Sequence, residues 1–392
     1  MQTGTKRTWR HISNVSHWFE MSGVGLLSIP AQCCSKYSVI IFCCFVIACI
    51  FYLSLNLNLT PKPALKEMWR QMRTAHNAKK PTDGASISKE VKEAVTHYSS
   101  LNQFKVAAAV KGRSMSLGRA DITCELRARV PLRVIKAGDG PFSGEQWEKS
   151  LPSRGLEETL GPLKTCAVVM SSGALRRSSL GMEIDSHDAV LRFNAAPTEG
   201  HSRDVGSKTT LRIVNSQLMV TQKARFLQDA LFNTGVLIMW DPAPYSKDLH
   251  EWYRNPDFNF TETYQDYHRL HPRQPFYILS PSMQWELWDI LQEYSPTAIQ
   301  PNPPSSGMQG IIVMLSLCDR ISVYEFLPSH RKSDLCHYFE DIHNWQCTQG
   351  HYHPLSFEKN LIKHLNQGGQ EDVVKLGKVT LNGFSQERCR RT

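Results

Sequence analysis

The sequence has no DxD pair, no CxxC pair, no GxGxxG or GxxxxGK[ST] loop and no internal repeat. These absences remove support for a carboxylate-held divalent metal, a structural zinc ribbon, a dinucleotide enzyme, a Walker-type NTPase and a solenoid. The acids nearest to a pair, Asp185 and Asp188 in IDSHD, stand one residue too far apart. Proline (21) and glycine (23) are too few among 392 residues for collagen or a low-complexity chain. With 41% hydrophobic and 21% charged residues, wholesale disorder is excluded too. The net charge of +9 suits an anionic ligand or surface without naming one.

One stretch lacks charge altogether. Residues 37–55 read YSVIIFCCFVIACIFYLSL between Lys36 and the polar, Pro-containing segment 56–63. The run is close to the ~20 residues that cross a ~30 Å hydrocarbon core as a helix. Thirty-six residues precede it and no small-x-small cleavage site follows, so it reads as a signal anchor rather than a cleaved leader. A buried globular helix is the alternative. Flanking basic residues do not orient it: Lys6, Arg7, Arg10 and Lys36 lie before, and Lys62, Lys66, Arg70 and Arg73 after.

Cysteines orient it better. Of eleven, Cys33, Cys34, Cys43, Cys44 and Cys49 lie in or beside the run. The other six, Cys124, Cys166, Cys318, Cys336, Cys347 and Cys389, are even in number and scattered, as for three disulfides in an oxidising lumen. The sequon Asn259-Phe260-Thr261 agrees with lumenal exposure, whereas Asn58-Leu59-Thr60 sits near the bilayer and Asn14-Val15-Ser16 would be cytosolic. The expected organisation is a cytoplasmic tail 1–36, an anchor 37–55, a stem 56–105 with short helical pieces such as 63–74, and a lumenal catalytic domain 106–392. Within it, 106–155 is transitional, with Cys124 stapling it down.

From Leu163 apolar strand runs and helical segments alternate. Strands are expected at KTCAVVM (164–170), AVLRFN (189–194), TTLRIVN (209–215), VLIMW (236–240), FYIL (276–279) and SVYEF (322–326). Helices are expected at 223–232, 282–293, 310–318 and 356–365, the last capped by Ser356. The alternation predicts an α/β domain with a mostly parallel sheet and helices on both faces.

Ligands of such folds bind at strand carboxyl ends, where helix N-termini favour anions. Two loops have that character: Ser171-Ser172-Gly173 after the first strand, and Pro303-Pro304-Ser305-Ser306-Gly307 before an apolar helix. Each alone is equally an ordinary capped helix start; together, in a basic domain, they point to a nucleotide-type ligand. Asn194 and Asn215 end strands, where their amides serve either a ligand or a cap. The C-terminal cluster Cys336-His337-Tyr338, His343, Cys347 and His351-Tyr352-His353 offers a general base of near-neutral pKa or, less well spaced, zinc ligands.

These stretches resemble the sialyltransferase family. CAVVMSSGALRRSSLGMEIDSHDAVLRFNAAPTEGHSRDVGSKTTLRIVN (166–215) is similar to its large sialyl motif, and PNPPSSGMQGIIVMLSLCDRISV (301–323) to its small motif. HYFE (337–340) falls at the third motif, and HPLSFE (353–358) resembles the very small H-x4-E motif. WDPAPYS, NPDFNF, QPFYIL and WELWDILQE narrow the likeness to the β-galactoside α-2,6-sialyltransferases. Met170, His337, Ser356 and Phe357 depart from the commoner residues of that family.

The resemblance implies a Golgi type II membrane enzyme with a variant glycosyltransferase-A-like single-sheet fold. It would move sialic acid from CMP-sialic acid to the 6-hydroxyl of terminal galactose, inverting the anomeric carbon, with no metal or other cofactor and no nucleic-acid partner. By the same likeness His353 is the general base. Ser171, Asn194, Asn215, Ser305, Ser306, Gly307, Cys336, His337, Thr348, Tyr352 and Lys359 are donor contacts, and Gln217 and Asp257 acceptor contacts. It also implies the pairs Cys166–Cys318, Cys336–Cys347 and Cys124–Cys389. Two other functions stay open: a Golgi glycosyltransferase with another nucleotide sugar or another sialyl linkage, and a non-catalytic glycan-binding module. Monomer and homodimer stay open as well.

Overall fold

Short apolar runs become strands because parallel strands buried on both faces need hydrophobic residues at every position. The computed structural model describes residues 118–344 and 352–389, together with 93, 96, 97, 100–107, 111 and 347. These all fall within one unit, Asp83–Thr392. The apolar run 37–55, the 63–74 segment, the sequons at Asn14 and Asn58, and Thr348 lie outside the described residues. Among the described residues no helix is long and apolar enough to cross a membrane.

The strands are β1 Leu163–Val169, β2 Ala189–Phe193, β3 Leu211–Asn215, β4 Val236–Trp240, β5 Phe276–Ile278, β6 Cys318–Tyr324 and β7 Lys378–Asn382. They form one sheet in the order β5-β4-β3-β2-β1-β6-β7. Every pairing is parallel except β6 with β7, which is antiparallel. The chain winds outward from β1 to β5 and then crosses to β6, so a topological switch point lies beside β1.

Seven helices matter for the site: α1 Arg119–Arg129, α2 Ser216–Thr221, α3 Leu249–Arg254, α4 Thr261–Leu270, α5 Pro281–Glu293, α6 Ser306–Leu317 and α7 Leu355–Leu365. Ile122 and Leu126 of α1, Trp285 and Trp288 of α5, Ile312 of α6 and Leu361 of α7 share one core with Val168, Leu191, Ile213 and Ile238. Trp252, Tyr264 and Tyr267 pack on the other face with Val214, Leu237 and Met239. Helices therefore cover both faces.

The segment 223–232 expected as one helix is helical only over Lys223–Gln228, and α2 precedes it. α6 begins four residues before the expected Gly310, because Ser305 Oγ accepts from Met308 N–H and caps it there. α7 is not capped by Ser356; Pro354 precedes it, and the Glu358 amide bonds the Pro354 carbonyl. β6 starts at Cys318 rather than Ser322, drawn in by pairing with Leu163, and Glu325, at φ 58°, ends it. Phe104, inside the stretch read as stem, is buried against Trp285 at 5.7 Å.

Disulfides join Cys124 to Cys389, Cys166 to Cys318 and Cys336 to Cys347. The second links β1 to its neighbour β6. A Cys166→Ser, Cys318→Ser double variant is expected to lose about 2–5 kcal/mol of stability, read as a lower denaturant midpoint; an unchanged midpoint would show the sheet does not rely on it.

Candidate active site

The two serine-glycine loops meet at the carboxyl ends of the strands. After β1, Ser172 Oγ accepts from Ala174 N–H at 3.2 Å and caps a short 3-10 turn, leaving Ser171 half-buried beside a cavity. Gly173 packs so closely that a Cβ there would lie 2.3 Å from the Leu335 Cβ, which excludes any side chain. At Gly307 a Cβ would come within 3.0 Å of Met170 Sδ, so the end of the first strand touches the start of α6.

In the second loop Ser305 is held from three sides. Its N–H and hydroxyl donate to the two oxygens of Glu358, at 2.7 and 2.6 Å, while Oγ caps α6. Glu358 is 0% exposed, and burial pushes its carboxyl up to about 7 against the pull of the Ser305 bonds. Ser306 Oγ accepts from Trp240 Nε1 at 2.9 Å. Trp240 ends β4 and lies 6.3 Å, centroid to centroid, from the His353 ring.

His353 Nδ1 lies 2.7 Å from the carbonyl oxygen of Pro303. A carbonyl only accepts, so Nδ1 carries the proton and Nε2 presents a lone pair. Burial holds the imidazole below its ordinary pKa, so it is neutral at neutral pH. Tyr352 packs edge-on at 4.9 Å; its backbone carbonyl accepts from Asn302 Nδ2 and its hydroxyl from Gln103 Nε2. The base, its aromatic walls and the Ser305 loop thus form one bonded cluster. Lys359 follows Glu358 in α7, half-buried, and burial lowers its pKa.

A cavity of about 370 Å³ adjoins the first loop. Ser171, Asn194, His337 and Phe339 line it, and the rings of His337 and Phe339 stack at 5.1 Å with 5° between planes. Asn194, at φ 46°, accepts from Asn215 N–H through Oδ1 at 3.0 Å, and Asn215 Oδ1 caps α2 by accepting from Leu218 N–H at 2.9 Å. Both amide oxygens are therefore structural. Both amide nitrogens have no partner among the described residues.

Beneath this cavity lie Arg192 and Arg212, paired in register on β2 and β3 and each 1% exposed. Arg212 donates to the carbonyls of Asn194 and Ala196 at 2.7 and 3.0 Å, shaping the cavity wall. Arg192 bonds Val205 and Lys208 carbonyls at 2.6 and 3.1 Å. Neither forms an ion pair among the described residues. Burial lowers Arg212 to about 10, so it stays charged at neutral pH and offers a positive field to an anion above.

The structure thus brings Ser171, Asn194 and His337 to one cavity, and Ser305, Ser306, Gly307, Tyr352 and His353 to one loop cluster, with Lys359 on α7 one residue after Glu358. The Met170–Gly307 contact joins the two. Asn215 stands behind Asn194 as a cap. The Cys336 and Cys347 sulfurs are spent on each other, which removes both from any zinc site. His337 Nδ1 pairs with Glu340 at 2.7 Å and His343 with Asp334 at 2.8 Å. Among the described residues no group of three or more His, Cys, Asp or Glu is arranged to hold a metal.

Gln217 and Asp257 belong to neither group, although Gln103, which bonds the Tyr352 hydroxyl, lines the cavity that holds Asp257. Gln217 is exposed on the first turn of α2. Asp257 lines a separate cavity of about 330 Å³ with Gln103, Lys105 and Pro242. Asn259 is exposed at the edge of a groove of about 800 Å³ alongside α4.

The profile of glycosyltransferase family 29 (sialyltransferase) matches residues 146–370, more than half of the chain. The chain belongs to the sialyltransferase family. Within that family it is 54% identical over 293 residues to mouse beta-galactoside alpha-2,6-sialyltransferase 1, covering 75% of this chain and 72% of that one. The human protein of the same name is 53% identical over the same shares. A crystal structure of a mammalian sialyltransferase aligns over 74% of this chain and 85% of its own at 23% identity, with a TM-score of 0.36.

Sequence reasoning missed several residues of this sialyltransferase. Trp240 ends an apolar strand and Asp241 follows it as WDP, and a carboxylate directly after a buried strand is the readable signal. Arg192 and Arg212 interrupt apolar strand runs, an equally readable anomaly. Glu358 closes the H-x4-E motif, which by itself assigns it no role.

Proposed function

We propose that this protein transfers sialic acid from CMP-sialic acid to the 6-hydroxyl of terminal β-galactose on N-acetyllactosamine glycans, with inversion and without a metal. The observation that carries the mechanism is the Pro303 carbonyl on His353 Nδ1, which leaves Nε2 bare beside the Ser305 loop. Nε2 takes the proton from the galactose hydroxyl as that oxygen attacks the anomeric carbon. The bond from that carbon to the CMP phosphate breaks, and cytidylate leaves with the electron pair. The α6 N-terminus and the Ser306 hydroxyl, which accepts from Trp240 and keeps its own proton to donate, offset the charge that develops there, and holding both substrates in line lowers the barrier further.

In this reading Ser171, Asn194, Asn215, Ser305, Ser306, Gly307, His337, Thr348, Tyr352, Lys359 and the Cys336 backbone hold the donor, and Gln217 and Asp257 the galactose. The two alpha-2,6-sialyltransferases above support the linkage. The sheet is then a variant of the glycosyltransferase-A type. The three disulfides support an oxidising Golgi lumen, with residues 37–55 as a type II anchor, 1–36 cytosolic, a stem ending before Phe104, and Asn259 open to glycan addition.

The test incubates the full chain with CMP-sialic acid and N-acetyllactosamine in EDTA and determines the linkage formed. Transfer to the 6-hydroxyl is expected. A 3-linked product, another required donor or loss of turnover in EDTA would each replace part of the proposal.

A further inference from the structure

A carboxylate at a buried strand end is costly unless donors surround it. Asp241 follows β4 directly, is 0% exposed and makes no ion pair among the described residues. Donors from three separate segments compensate it. Ser216 Oγ, at the start of α2, donates to Oδ1. Trp252 Nε1, in α3, donates to Oδ2 at 2.8 Å. The backbone N–H groups of Asp257 and Phe258 donate at 3.0 and 3.1 Å. Gln284 Nε2, from α5, holds the Asp241 carbonyl at 2.9 Å.

Two of these donors adjoin the expected acceptor contacts. Ser216 precedes Gln217, and the Asp257 amide belongs to the other contact itself. Gln217 and Asp257 lie forty residues apart in the chain, and one carboxylate grips the backbone or the neighbour of each. The preceding residue, Trp240, reaches the opposite way, to Ser306 and the His353 ring. The dipeptide therefore spans the floor between the donor loop and the acceptor side.

We propose that Asp241 is the positioning residue of the acceptor side: it sets the distance between Gln217 and Asp257, and so the fit of the galactose. The inference rests on the sialyl-transfer reading and on those two residues being the galactose contacts. Among the described residues Asp241 bonds none that lines the donor cavity, and its one link to the donor side is Ser216, next to Asn215, so its removal acts chiefly on acceptor binding. Asparagine cannot replace it, because its NH2 would face an N–H donor where the second oxygen now accepts.

The test measures KM for N-acetyllactosamine, KM for CMP-sialic acid and kcat in the full chain. Asp241→Asn is expected to raise the acceptor KM by about tenfold or more, the scale of a lost charge-assisted hydrogen bond, with donor KM and kcat held within about threefold. Trp252→Phe deletes one donor together with the five-membered ring of the indole; it is expected to raise the acceptor KM by about threefold, and it carries the test if Asp241→Asn does not fold. Donor and acceptor KM rising together, or an acceptor KM unchanged in folded Asp241→Asn or in Trp252→Phe, would overturn the inference while leaving sialyl transfer standing. A wild-type chain that does not sialylate N-acetyllactosamine would instead overturn the underlying reading, and this one with it.

Discussion

Replacing His353 with alanine is expected to lower kcat by about 10²- to 10⁴-fold, the usual contribution of a positioned general base. The expectation follows from one bond. With Nδ1–H committed to the Pro303 carbonyl, only Nε2 can accept a proton, and among the described residues no other imidazole shares its cluster. The same bond aims the ring, so the base loses little freedom when substrate binds. CMP affinity should change by no more than about threefold, because the donor seat rests on other groups. The pH profile supplies a second readout. Burial lowers the His353 pKa, so the neutral, competent form persists below the ordinary histidine midpoint. Wild-type kcat/KM should therefore stay flat through neutrality and fall only on the acid side, and the variant's residual rate should lack that acid limb. A folded His353→Ala protein within about threefold of wild-type turnover would remove His353 from the mechanism.

Glu358→Ala is expected to be the more damaging change to the protein itself. It deletes both acceptors of Ser305, leaving a buried N–H and a hydroxyl with one role each unfilled. The cost is about 2–5 kcal/mol of stability, with a raised donor KM in any protein that still folds. Glu358→Gln is the informative partner. Its oxygen can accept from the Ser305 amide while its NH2 donates to Oγ, imitating the protonated carboxyl. The sign of the pH effect is opposite to that of a salt-bridged acid. The folded carboxyl titrates near about 7, above its unfolded value of 4.5, so the native state holds the extra proton between those pH values. Wild-type stability gains from this group below pH 4.5 and loses that gain as pH rises to about 7, by up to about 3 kcal/mol. Denaturation of wild type and Glu358→Gln across that window should show the slope only in the wild type. Parallel curves would mean that Glu358 is ionised throughout.

The strand pattern was legible because parallel strands bury both faces: VLIMW could be placed to the residue because it is an apolar run of strand length bounded by Gly235 and Asp241. β7 was not legible. Its KVTLN run is short, polar at both ends and made a strand by antiparallel pairing with β6. α6 begins four residues before the expected Gly310 because the Ser305 cap starts it inside the Ser-Gly loop, ahead of the apolar run. Asn194 and Asn215 show the same double use, their oxygens bound in the fold and their nitrogens left over.

The amino-acid order by itself determined the α/β class and, through its likeness to the sialyl motifs, the family and the expectation that His353 acts with the two serine-glycine loops. Those depend on residue types and local spacing, which a chain carries without folding. Tertiary structure alone decided which ring nitrogen of His353 bonds the Pro303 carbonyl, that Glu358 holds Ser305, that two buried arginines are bonded to backbone carbonyls, without an ion pair among the described residues, and that Asp241 clasps Ser216, Trp252 and the 257–258 amides. Each is a contact between residues distant in the chain. Its energy comes from burial and from donors brought together only when the sheet closes around them.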